Sequence, residues 1–293
     1  MSTNVVVDAR THVRSLAAIR LLRPKHWIKN LFVLAPLIFS GLFTRRSDTL
    51  LALFGTAWFC IAASIVYVLN DLADLRNDAL HPVKRLTRPL ASGAVSVTTA
   101  RVMLIGLSVL LLLGIRVSVP LVAVLIAYIV LNVLYSTWLK RIPVVDIFCV
   151  ATGFVLRVYA GAVVIDVPLS SWMLVTTLSI ALYLAAIKRR DELAIQGDGA
   201  RAVLGQYTIP LLDRFALMSS VCAMVFYSLF VVTTRPVLAS TIPLVLFGIF
   251  RYWFLVEQSG RGESPTDALW SDRLLFITIL MWGLLCAYLL RQP

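Results

Sequence analysis

Long apolar runs separated by short charged segments recur along the whole chain. Residues 49–70, 117–139, 167–187, 215–234 and 274–290 each come close to the roughly 20 residues that cross a hydrocarbon core. Shorter or interrupted runs at 30–44, 102–115, 142–164 and 236–250, the last extended by 251–257, bring the expected number of helices to nine. The 31–44 stretch also suits a re-entrant or tilted segment. The pattern therefore predicts an all-α integral membrane protein, a single bundle of about nine transmembrane helices spanning residues 1–293. No stretch is long enough to hold a soluble domain with its own core. Residues 1–15 read as a mobile tail, and residues 71–100 and 188–213 as the two long loops.

Composition sharpens this picture. Hydrophobic residues make up 60% of the chain and charged residues only 14%, against about a quarter charged in soluble domains. The lysines and arginines are unevenly placed. With nine spans, 21 of the 27 lie on the side of the N-terminus and five on the other, Arg157 being inside a span. The excess of positive charge on cytoplasmic loops assigns the N-terminus and both long loops to the cytoplasm. The expected location is the inner (cytoplasmic) membrane. The net charge of +12 then lies against one leaflet, where topology and attraction to anionic membrane lipids account for it. No interleaving of aromatic and basic residues points to nucleic acid as a partner. Cys60, Cys149, Cys222 and Cys286 each fall inside an expected span and read as packing residues. The first apolar run is flanked by charges and expected to be retained as a span rather than cleaved as a leader.

Where the 49–68 run ends, the chain reads Asn70-Asp71-Leu72-Ala73-Asp74-Leu75-Arg76-Asn77-Asp78. On a helix, Asp71, Asp74 and Asp78 share one face, close enough to repel one another without a cation. Their hard oxygens suit magnesium, which takes one or two carboxylates and completes its shell with water and substrate phosphate. The cluster is thus a candidate seat for a diphosphate. Lys84, Arg85 and Arg88 follow and are suited to phosphate oxygens, although alone they would read as membrane-surface charge. Asp146 and Arg157 lie eleven residues apart inside one span, on one face, and are expected to meet the cavity or each other. Tyr207, and Asp272 with Arg273, are further polar positions that anchoring at the interface or helix capping would also explain.

These residues carry a resemblance. The segment Asn70-Asp71-x-x-Asp74-x-x-x-Asp78, the following Lys84-Arg85, the run Arg88-Pro89-Leu90-Ala91-Ser92-Gly93 and the pattern of spans resemble the UbiA-type prenyltransferase superfamily. The resemblance implies a nine-helix bundle with a cytoplasmic polar cavity, magnesium holding a diphosphate, and a lateral opening for an isoprenoid tail. Its second loop departs from the superfamily pattern. A further Asp-x-x-x-Asp motif is usual there, whereas this chain has Lys188-Arg189-Arg190-Asp191-Glu192. With Arg23-Pro24-Lys25-His26-Trp27-Ile28-Lys29-Asn30 and Arg157-Val158-Tyr159-Ala160-Gly161, this variant is similar to the polyprenyl-phosphate phosphoribosyltransferase branch.

The branch implies transfer of 5-phosphoribosyl from 5-phosphoribosyl 1-diphosphate to a polyprenyl (decaprenyl) phosphate, supplying a pentose lipid for cell-envelope arabinan or a related glycan. In that reading Asp71, Asp74 and Asp78 are the catalytic carboxylates, with Asp74 and Asp78 the direct magnesium ligands. Asn70, Lys84, Arg85 and Arg88 bind the donor. Lys188, Arg189, Asp191 and Glu192 form an opposing lip, and Lys29 and Arg157 are further substrate-binding candidates. Members of the branch also suggest a homotrimer. No strong general base is expected, since a lipid phosphate attacks as an anion, so His26 and His81 are not needed. The alternative is transfer of a prenyl group to an aromatic acceptor, as in quinone or haem synthesis. A lipid transporter is the reading from another class, against which the gathering of charge at one face argues.

Overall fold

The computed structural model describes residues 16–80, 82–197, 203–259 and 271–291. The expected tail at 1–15, and His81, lie outside them. Eight helices among the described residues are long and apolar enough to cross a membrane. They are α1 (Arg46–Ala73), α2 (Val97–Leu113), α3 (Val119–Thr137), α4 (Val145–Val164), α5 (Ser171–Gln196), α6 (Ile209–Thr234), α7 (Ile242–Ser259) and α8 (Arg273–Leu290). Several starts are capped as their sequences predict. Ser96, Ser118, Thr208 and Asp272 accept the backbone N–H three residues on, at 3.0, 3.2, 3.3 and 2.7 Å.

The expected first span is not one continuous helix. It is divided into an 11-residue 3-10 run, Pro24–Leu34, a short α-helix, Ala35–Ser40, and a turn, Leu42–Thr44. Local chemistry explains the breaks. Arg23 has φ of 54°, Pro24 and Pro36 open their segments without an N–H, and Gly41 ends the short helix at φ of 81°. The 3-10 run packs on α1 and α4, and the short helix touches α4 and α8. The start of the chain thereby meets its last helix. Between them, α1 packs on α2 and α3, α3 on α4, α4 on α5, α5 on α6, and α7 on α8.

Both long loops are shorter than expected. Asp71 still belongs to α1, a helical segment follows at Leu75–Leu80, and α2 begins at Val97. Residues 188–192 belong to α5, which runs on to Gln196, because charged side chains there pair within the bundle instead of ending the helix.

Side-chain size divides the bundle into inside and outside. α4 buries Ala151, Gly153, Ala160, Gly161 and Ala162, and α1 buries Gly55, Ala62, Ala63 and Ser64. Small residues let backbones approach where lipid gives no hydrophobic drive for helices to associate. α2 shows the opposite face, with Val102, Ile105, Val109 and Leu113 exposed. Apolar exposure on that scale suits acyl chains rather than water, and the chain is a multi-pass membrane protein.

At the tightest approach, a Cβ on Gly161 would stand 1.9 Å from the Val33 carbonyl oxygen. Gly161→Ala is expected to push the 3-10 run off α4 at a cost of about 1–3 kcal/mol, seen as a lower melting temperature in detergent. An unchanged melting temperature would refute this packing.

Candidate active site

Two charged clusters and a cationic centre are assembled from elements far apart in sequence. The first cluster forms at the end of α1. The helix breaks at Asp74 (φ −88°, ψ 1°), yet backbone bonds from Asp74 N–H to the Asn70 carbonyl and from Asp78 N–H to the Asp74 carbonyl, both 2.9 Å, carry the helical register across the break. Asp71 and Asp78 therefore keep a common face and share one guanidinium. Arg88 Nη1 donates to Asp71 Oδ1 at 3.1 Å and also to Asp78 Oδ2. Arg23 Nη2 donates to Asp71 Oδ1 at 2.5 Å, and Lys84 Nζ lies 3.6 Å from Asp78 Oδ1. Asp71 and Asp78 are buried, Asn70 and Asp74 half-buried, and Arg85 exposed. Arg23, whose guanidinium also lies 5.1 Å from the Tyr67 ring centre, was not singled out from sequence. Its contact spans 48 residues, and the segment from Arg23 to Asn30, although it carries part of the resemblance, does not by itself say what Arg23 meets.

The second cluster is built on α5. Arg189 is 3% exposed and fully engaged. It donates through Nε to Asp146 Oδ2 at 2.7 Å, through Nη1 to Glu192 Oε2 at 2.6 Å, and through Nη2 to the Tyr135 hydroxyl at 3.0 Å. Tyr207 completes it. Its hydroxyl donates to Asp146 Oδ1 at 2.7 Å and accepts the Val144 N–H at 2.5 Å. Burial, foremost, pushes the Tyr207 phenol well above its ordinary range, so it stays a donor at neutral pH. Val144, a β-branched residue at φ of 67°, stores strain that this bond helps hold. Lys188 lies 4.0 Å from Glu192, and Arg190 pairs with Asp213, Glu257 and Asp191. Asp191 and Glu192 are buried.

Between the two clusters lie Lys29, Asn30 and Arg157. Arg157 is 6% exposed and does not meet Asp146, which pairs with Arg189, so of the two expectations, the cavity or each other, the second is not realised. It donates to Asn30 Oδ1 at 2.9 Å, to the Gly153 carbonyl at 2.7 Å and to the Tyr128 hydroxyl at 3.1 Å. The rings of Phe59, Tyr128 and Phe154 stand about it at 5.0–5.2 Å. Asn30 in turn donates to Cys60 Sγ at 3.2 Å. All four cysteines are free. Next to Asn30, burial and then the charges of Lys188 and Arg157 push the Lys29 ammonium down to about 8. A depressed lysine beside two other cations marks a place where positive charge awaits an anion.

A family model described as the UbiA prenyltransferase family matches residues 30–280. The chain belongs to this family. Decaprenyl-phosphate phosphoribosyltransferase of Corynebacterium glutamicum is 34% identical over 281 residues, covering 90% of this chain and 83% of that protein. The protein of the same name from Mycobacterium tuberculosis is 32% identical over 295 residues, covering 96% of each. A UbiA homologue from Archaeoglobus fulgidus, solved bound to DMAPP and Mg2+, shares the fold with a TM-score of 0.69 at 19% identity, over 94% of this chain and 99% of that one.

Within this UbiA-family bundle, metal-ligand geometry can be tested on the acidic cluster. Among the described residues no three His, Cys, Asp or Glu side chains gather at one point. Asp71 Oδ2, however, is buried with no hydrogen-bond partner, a costly state for a carboxylate oxygen. An orphaned hard oxygen one helical face from Asp78 fits a magnesium that takes one or two carboxylates and draws its other ligands from phosphate and water.

The Asp146–Arg189 pair can be read through stability alone. Asp146→Ala should cost about 1–3 kcal/mol by leaving Arg189 Nε and the Tyr207 hydroxyl without their acceptor while Glu192 still pairs the guanidinium, whereas Asp146→Asn, which keeps an acceptor in place, should cost clearly less. Thermal unfolding of the two variants checks this; equal destabilisation would refute it.

Proposed function

We propose that the chain transfers the 5-phosphoribosyl group of 5-phosphoribosyl 1-diphosphate to the phosphate of a polyprenyl lipid such as decaprenyl phosphate, releasing diphosphate. Family membership, the relatives' names and the layout of charge support this reading. The observation that carries it is the cationic centre of Lys29, Arg157 and Lys188 between the clusters. A neutral aromatic acceptor has no use for a half-buried lysine on which the charges of Lys188 and Arg157 press. An anionic acceptor would relieve that repulsion.

In this scheme Arg88, Lys84 and Arg23 grip donor phosphates beside Asp71 and Asp78, with Asn70, Asp74 and Arg85 at the rim. Asp74 and Asp78 would hold magnesium, joined by Asp71, whose Oδ2 has no hydrogen-bond partner. When bound, the ion would neutralise charge on the departing diphosphate. Lys29, Arg157 and Lys188 would orient the acceptor phosphate toward the anomeric carbon. As the bond from that carbon to the diphosphate oxygen breaks, a lipid phosphate oxygen forms the new one, through an oxocarbenium-like transition state with inversion. The acceptor is already an anion, so no side chain need remove a proton. Asp191, Glu192 and Arg189 shape this lip; Arg189, saturated by Asp146, Glu192 and Tyr135, acts by positioning Lys188. The active site faces the cytoplasm of the inner membrane, as the distribution of basic residues implies.

A radiolabel assay with phosphoribosyl diphosphate, polyprenyl phosphate and magnesium tests the reading. Wild type should form labelled lipid, and Asp71→Asn and Lys188→Met should fall about 10²-fold. Folded wild type that yields none, yet joins prenyl diphosphate to an aromatic acceptor, would replace this function with the alternative.

The Lys29 ammonium gives a pH signature. Its charged form binds the acceptor and is present below about 8, so affinity is lost as pH rises through that value. The KM for lipid phosphate should climb above that pH, and Lys29→Arg should remove the limb. An acceptor KM independent of pH up to about 9.5, below the ordinary lysine value of about 10.4, would exclude Lys29 from the acceptor site.

A further inference from the structure

A cavity lies at the end of the bundle opposite the charged clusters. α6 runs 26 residues from Ile209, near the Arg190–Asp213 pair, to Thr234, which at 1.5 Å per residue sets Arg235 about 39 Å from the active-site end. There a cavity of about 340 Å³ opens among the short helix Ala35–Ser40, the connection before α5 and the end of α6. Arg235 is the only charged residue among the described ones that line it. One guanidinium nitrogen, Nη2, donates to the Ser40 carbonyl at 3.0 Å, while Nε is buried without a partner. No carboxylate among the lining residues balances it. Asp166, one residue ahead of the lining Val167, is exposed and makes no ion pair with Arg235.

Two further features give the cavity its chemistry. Ser170 caps α5 without a side-chain bond to the helix, so the first N–H groups of a 26-residue helix border the same space. Phe39, Leu169, Met173 and Phe230 supply an apolar wall. A half-buried guanidinium whose Nε is buried without a partner is costly, and an anion carrying hydrocarbon would satisfy cation and wall together.

We propose that this cavity binds the phosphodiester of an anionic glycerophospholipid from the leaflet opposite the active site, joining the short helix Ala35–Ser40 to the ends of α5 and α6. Guanidinium and α5 terminus take the phosphate, and an acyl chain lies along Phe39, Leu169 and Phe230. The site is independent of the transfer reaction and needs no turnover to be seen.

Delipidated protein in detergent, titrated with phosphatidylglycerol, phosphatidylcholine or inorganic phosphate, tests it through native mass spectrometry and melting temperature. Phosphatidylglycerol should give a retained adduct and a higher melting temperature with wild type, and the other two should not. Arg235→Gln should lower adduct occupancy about tenfold, the loss of a charge-assisted bond. Thr234→Glu, which keeps the guanidinium and supplies a neighbouring carboxylate, should raise the lipid-free melting temperature and abolish the response to phosphatidylglycerol. Equal adducts in wild type and both variants would overturn the proposal. So would stabilisation by inorganic phosphate equal to that by phosphatidylglycerol, which would make this a free-phosphate site.

Discussion

A guanidinium can remain inside a membrane bundle only if the protein satisfies its donors, and Arg157 is the place where this protein does so. Its three donating nitrogens reach Asn30, the Gly153 carbonyl and Tyr128. The partners come from the broken N-terminal segment, from α4 itself and from α3. Because each unsatisfied donor would cost about 1–3 kcal/mol or more beside a charge, the three elements are held in one arrangement. The closeness of Gly161 to Val33 follows from the same docking, since Asn30 cannot reach Arg157 unless the 3-10 run lies against α4.

That docking has an electrostatic consequence. Fixing Asn30 also fixes Lys29, where desolvation first, and then the charges of Lys188 and Arg157, lower its affinity for a proton. Such an arrangement lowers the stability of the protein by itself, since an apolar residue at the half-buried Lys29 would remove the repulsion. The cost is reasonable only where an anion offsets it, the usual trade between stability and binding at functional sites. The acidic cluster differs. Asp71 and Asp78 already have arginine partners, and of their oxygens Asp71 Oδ2 is buried without a hydrogen-bond partner.

Most of the bundle was legible from hydropathy, because eight of the nine expected spans need only length and apolar content to declare themselves. The remaining one was obscured by two prolines and a glycine that divide it into short pieces. The acidic cluster was legible too, because helical spacing brings Asp71 and Asp78 to one guanidinium even across the break at Asp74. Long-range pairing was not. Asp146 and Arg157 do share a face of α4, but whether they meet depends on what neighbouring helices present, and Arg189 and Asn30 reach them first across 43 and 127 residues of sequence. Residues 188–192 looked like a loop because charge usually ends a membrane helix. Here the charges are neutralised in pairs, so α5 continues.

These pairings make α4 the element that sets the distance between the two clusters. Asp146 in its first turn holds Arg189, and with it the end of α5 that carries Lys188. Arg157, about 16 Å further along at 1.5 Å per residue, holds Asn30 and the segment that carries Lys29 and Arg23. Arg23 reaches on to Asp71. Each cluster is thus tied to the same rigid helix through a buried polar bond, and neither can shift alone without breaking one. Small residues along α4 keep those bonds short by letting its neighbours pack closely. A reaction that must bring two anionic groups together within bonding distance needs this kind of constraint more than it needs any single charge, since orientation of reactants can supply several kcal/mol of a barrier.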